Sequence, residues 1–94
     1  KQERRYTMNG LLWNVKMKKE YKETMFELVD VQLCDVGISY QLYTQDEEAL
    51  EYVFLLHLTD EHELLSFVRS KTYIFIEQLF AKLCSFQTIE LCAI

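Results

Sequence analysis

The chain has 94 residues, half of them hydrophobic and 14% aromatic, which suffices for one globular domain with its own core but not for two. Its net charge of −5 is unevenly spread: Lys1, Arg4, Arg5, Lys16, Lys18, Lys19 and Lys22 precede Glu23, whereas every acid except Glu3 and Glu20 comes after Lys22. An acidic body repels phosphate, which argues against nucleic acid as a partner, and Glu51, His57, Asp60 and Glu61 interrupt the most apolar stretch well short of the ~20 residues a membrane span needs.

Taken in chain order, Lys1 to Arg5 is wholly polar and reads as the end of a helix arriving from an upstream segment, and the missing initiator Met suggests a fragment. No charge-free apolar stretch follows, so no signal peptide is expected. After Gly10, the residues Leu11, Trp13, Val15 and Met17 alternate with Leu12, Asn14, Lys16 and Lys18, the period-two pattern of a strand. A charged link leads to Thr24–Leu33, which carries β-formers on two parities. It is read as a second strand with a bulge near Val29 that shifts the register by one.

Asp35-Val36-Gly37 predicts a turn in which Gly37 takes positive φ. Ile38–Thr44 alternates as a third strand with Ile38, Tyr40 and Leu42 inward, and the acidic turn Gln45-Asp46-Glu47-Glu48 follows. Glu51–Leu58 is apolar on both faces apart from Glu51 and His57, which predicts a central strand. Thr59 or Asp60 can cap a helix whose first turn is acidic; Leu64, Leu65 and Val68 form its apolar face, Ser70-Lys71-Thr72 interrupts it, and Tyr73, Ile76, Leu79, Phe80 and Leu83 resume at helical spacing. Two helices hinged near Ser70 therefore compete with one long one, and the break is favoured. The tail from Ser85 to Ile94 is apolar enough to dock on the body. The expected fold class is α+β: an antiparallel meander of about four strands packed against one or two C-terminal helices, in one domain spanning residues 1–94.

No residue set has the spacing of a chemical site. His57 and His62 flank Asp60 and Glu61 without imposed ligand geometry, and His62-Glu63-Leu64-Leu65-Ser66 has serine where a zinc-protease helix needs its second imidazole. Asp46, Glu47, Glu48 and Glu51 lack the ligand alternation and turn glycine of a calcium loop. Cys34, Cys84 and Cys92 are odd in number, far apart and without a C-x-x-C pair, as free thiols in a reducing intracellular compartment would be, nuclear or cytoplasmic. No enzyme activity, metal or cofactor is expected. Trp13, Tyr40, Tyr43, Tyr52, Phe67, Tyr73, Phe75 and Phe86 exceed what one core must bury, and Tyr43, Phe67 and Phe75 are the candidates for partner contact.

One family resemblance follows from these residues. Tyr6, Gly10-Leu11, a strand ending near Val15, a Phe26-led second strand, the Gly37 turn, Ile38 to Leu42, and Phe67-Val68-Arg69-Ser70 before Tyr73 to Leu83 resemble the globular heads of kinetochore proteins of the monopolin type. The resemblance implies an RWD-like fold, a coiled coil upstream that makes a homo- or heterodimer, and a sheet-and-helix surface that takes a short apolar segment of a protein partner during chromosome segregation in the nucleus. No catalytic residues come with it. A second reading, from another class, is a small acidic viral or phage inhibitor that blocks the basic groove of a host protein.

Overall fold

The computed structural model describes residues 8–93. The basic run Lys1 to Arg5, expected as the end of an arriving helix, lies outside the described residues, as do Tyr6 and the side chain of Phe86. The elements are β1 (Met8–Met17), a 3-10 turn (Lys19–Tyr21), α1 (Lys22–Asp35), β2 (Ser39–Asp46), β3 (Glu51–His57), α2 (Glu61–Val68), α3 (Lys71–Leu83) and β4 (Cys84–Ala93). The four strands form one sheet in the order β2-β3-β1-β4, with every neighbouring pair antiparallel. This is a β-α-β-β-α-β arrangement of the ferredoxin-like kind, with its second helix broken in two.

The α+β class, the antiparallel four-stranded sheet and the break at Ser70 are as expected. The path of the chain is not. Thr24–Leu33, read as a bulged strand, lies within α1, so the strands are not joined as a simple meander. The two parities that demanded a bulge are a helical pattern: Met25, Val29 and Leu33 recur every four residues and are the buried stripe of α1. The β-branched Val29 and Val31 argued for a strand, and tertiary burial outweighed that propensity. The tail docks, as expected, by adding β4 to the free edge of β1.

The helices cover one face of the sheet. Leu11, Trp13, Val15 and Met17 of β1 and Tyr52, Phe54 and Leu56 of β3 are buried there together with Leu64 and Phe67 of α2 and Ile76 and Phe80 of α3. Trp13 sits at the centre, with Phe80 edge-on at 5.1 Å, Tyr73 stacked at 6.1 Å and Phe67 at 6.3 Å between ring centroids. Helix caps set the two C-terminal helices. Asp60 accepts from the Glu63 amide at 2.8 Å to start α2, and Ser70 accepts from the Tyr73 amide at 3.2 Å while donating to the Phe67 carbonyl at 2.6 Å, so one side chain closes α2 and opens α3.

The opposite face carries no helix. By register it presents Leu12 and Asn14 of β1, Val53, Leu55 and His57 of β3, and Gln41 and Tyr43 of β2. Two bulges disturb the sheet near one end: Gln45 is the extra residue of β2 between the Thr44–Tyr52 and Asp46–Glu51 pairs, and Ser85 is the extra residue of β4 between the Met17–Cys84 and Lys16–Phe86 pairs. Gly37 turns with φ of 75°, as its position required, and Leu50 adopts φ of 59° ahead of β3.

Candidate functional site

The 3.6-residue period of α1 places a second stripe beside its buried one. Lys22, Phe26, Asp30 and Cys34 follow one another at intervals of four, with Glu23 and Glu27 alongside. This stripe faces β2, an edge strand whose inner face has few neighbours: Tyr40 is half-buried and Leu42 remains 40% exposed. Between them runs an open groove of about 720 Å³ lined by Lys22, Glu23, Phe26, Glu27, Asp30 and Tyr40, within the size range of small-molecule sites. A smaller lobe continues past Tyr40 to Cys34, Gly37 and Ser39.

Asp30 organises the groove. Its Oδ1 accepts from the Tyr40 hydroxyl at 2.6 Å and from the Cys34 thiol at 3.7 Å. Burial, reinforced by hydrogen bonding to Asp30, pushes the Tyr40 phenol well above its ordinary value, so it stays protonated and serves as a fixed donor. The Cys34 thiol is likewise pushed up, first by desolvation and then by the Asp30 charge. Phe26 supplies an aromatic wall and packs edge-on against Tyr52 at 5.0 Å. At the mouth, Lys22 reaches Glu47 at 3.5 Å and lies 5.6 Å from the Tyr52 ring centroid, and its ammonium is held above the usual lysine value chiefly by the Tyr52 side chain. With Glu23, Glu27 and Asp30 against Lys22, the lining is net acidic.

The three residues singled out for partner contact do not converge. Tyr43 is 49% exposed on the helix-free face, its hydroxyl donating to Gln41 at 2.6 Å, and Phe75 is 40% exposed on α3. Phe67 is 5% exposed and packs on Trp13 and Tyr73, so the expectation of a surface Phe67 is corrected: it shares a helical stripe with Leu64 and belongs to the core. His57 lies half-buried on the helix-free face with Nε2 3.3 Å from Gln41 Oε1, and His62 is exposed on α2. Among the described residues no group of three or more His, Cys, Asp or Glu side chains could hold a metal ion. Sequence reasoning missed Phe26 and Asp30 as a site because it assigned their run to a strand. Read at helical period, the Phe26–Asp30–Cys34 spacing was the signal.

No family model matches this chain, and no curated protein matches its sequence. Solved structures do. A conserved protein from Methanosarcina mazei Go1 superposes with a TM-score of 0.75 at 17% identity, over 94% of this chain and 93% of that one. An antibiotic biosynthesis monooxygenase superposes at 0.70 with 14% identity, over 93% and 98%. A Nitrosomonas europaea protein provisionally described as an antibiotic biosynthesis monooxygenase gives 0.76 at 8% identity, over 98% and 94%. At these identities the likeness shows the fold. It overturns the RWD-like kinetochore head, and with it chromosome segregation and a nuclear setting, and it lends nothing to a viral or phage inhibitor. The physical reason is local: the Phe26-led run matched to the second strand of that family is helix α1, and the tail beyond its final helix is strand β4.

Proposed function

We propose that this chain is a small-molecule-binding domain whose ligand, a planar aromatic amine, lies in the groove between α1 and β2. The observation that carries the reading is the conjunction of aromatic walls, Phe26 and Tyr40, with a carboxylate, Asp30, that is already oriented by two hydrogen bonds in a net acidic lining. An aromatic ring gains area and ring–ring contact against Phe26 and Tyr40, and an ammonium group finds Asp30, Glu27 and Glu23. Solved neighbours named as antibiotic biosynthesis monooxygenases share the fold, which supports a small organic ligand; the groove itself carries the argument, because fold alone does not assign function. A protonated Tyr40 and a Cys34 thiol held above its ordinary value suit the groove to binding rather than to proton abstraction or nucleophilic attack.

Tyramine is a suitable probe, followed by amide chemical shifts of the labelled protein. Saturable shifts are expected at Phe26, Asp30 and Tyr40, with Asp30→Asn weakening binding about tenfold, equivalent to ~1.4 kcal/mol. Phenol, which lacks the ammonium, should bind less tightly than tyramine. Equal tyramine affinity in wild type and a folded Asp30→Asn variant would remove the groove from consideration.

A further inference from the structure

We infer that the helix-free face of the sheet carries a second, separate pocket, which takes a small organic cation of the guanidinium class. The pocket has a volume of about 210 Å³ and is lined by Asn14, Gln45, Glu51 and Thr88, with Val15 and Tyr52 beneath. Each of the four strands contributes one polar residue: Asn14 from β1, Gln45 from β2, Glu51 from β3 and Thr88 from β4. Two of them meet through the ladder, since Asn14 pairs directly with Thr88. Glu51 is two positions from Val53, the β3 partner of Asn14. Gln45 arrives by another route, as the extra residue of the β2 bulge opposite the step from Tyr52 to Glu51. Bulges re-aim side chains in this way, and the left-handed Leu50 lies immediately before Glu51.

The chemistry of the lining selects the ligand. Among the described residues none of the four polar side chains makes a hydrogen bond or ion pair, although Asn14 and Glu51 are half-buried. Around them the face is apolar, with Leu12, Val53 and Leu55. Polar groups drawn partly out of water gain from a partner that returns their hydrogen bonds. Glu51 is the one ionised group lining the pocket, and Lys16, its cross-strand partner, forms no ion pair with it. The carboxamides of Asn14 and Gln45 and the Thr88 hydroxyl can each donate or accept, so the acceptor-only Glu51 carboxylate gives the lining its bias toward a cationic donor. A planar group with several N–H donors and a positive charge fits that set on an open sheet face, with its fork on Glu51 and its remaining donors on the carboxamides.

This pocket and the α1–β2 groove lie on opposite sides of the sheet, so the two proposals stand or fall separately. The test uses agmatine as probe and N-butylurea as its uncharged planar counterpart, monitored through the side-chain amide signals of Asn14 and Gln45. Agmatine should shift both signals saturably, N-butylurea should bind at least about tenfold more weakly, and Glu51→Gln should cost about tenfold in affinity. Thr88→Val, which keeps strand propensity, should cost a smaller factor, while Asp30→Asn should leave the agmatine titration of the Asn14 and Gln45 side-chain signals unchanged. Three outcomes overturn the proposal: no saturable shift, equal affinity for agmatine in a folded Glu51→Gln variant, or exclusion of agmatine by a second copy covering this face.

Discussion

At the residue scale, Tyr73 shows how the core constrains a titrating group. It stacks on Trp13 and its hydroxyl donates to Glu77 Oε2 at 3.3 Å, and burial followed by the Glu77 charge pushes its phenol from 10 up to about 12. The fold therefore favours the neutral phenol. That contribution is complete below pH 10 and is lost as the pH rises through about 12, with Tyr40 acting in the same direction. Melting temperature should fall over this window, and Tyr73→Phe should flatten the fall; parallel declines in the two proteins would show that Tyr73 is not its source. Which residues face inward on β1 was legible in the alternation of Leu11, Trp13, Val15 and Met17, because period two in a half-buried strand has one solution. Phe67 was harder: its three-residue spacing from Leu64 was visible, but whether that stripe meets the sheet or a partner depends on where α2 docks.

At the element scale, the junction between α2 and α3 rests on one side chain. Ser70 caps α3 and closes the last turn of α2, so Ser70→Ala should cost about 1 kcal/mol, or roughly 5 °C in melting temperature. Thermal melts of the two proteins measure this directly, and an unchanged value would mean that main-chain bonds alone hold the break. The break was legible in the interruption of apolar spacing at Ser70-Lys71-Thr72, whereas the capping role of Ser70 came only from the structure, because Tyr73 stands where a capping box carries Glu or Gln. Helix α1 was not, since Val29 and Val31 favour strand in isolation and only burial of Met25, Val29 and Leu33 against the sheet decides for helix. The candidate groove was lost with it, because its acidic and aromatic stripe exists only at helical period.

At the scale of the whole molecule, β1 and β3 are each flanked on both sides, whereas β2 and β4 are edges. Amide hydrogen exchange should be slowest in Leu11–Val15 and Tyr52–Leu56 and markedly faster in alternate residues of β2. Equally slow exchange throughout β2 would indicate that its outer edge is covered. Among the described residues no helix is long and apolar enough to cross a membrane. The class was legible from local patterns, whereas the count of four strands agrees only because the tail strand β4 takes the place of the run that is helix α1. The strand order was not legible, since no turn joins β1 to β4 and their pairing is a contact between the two ends of the described chain. That pairing also has a kinetic meaning. A ribosome releases β1 early and Cys84–Ala93 late, so the central strand waits with one edge open while β2, β3 and α1 assemble beside it. Until Cys84–Ala93 pairs there, β1 exposes a strand edge that any extended neighbour could pair with.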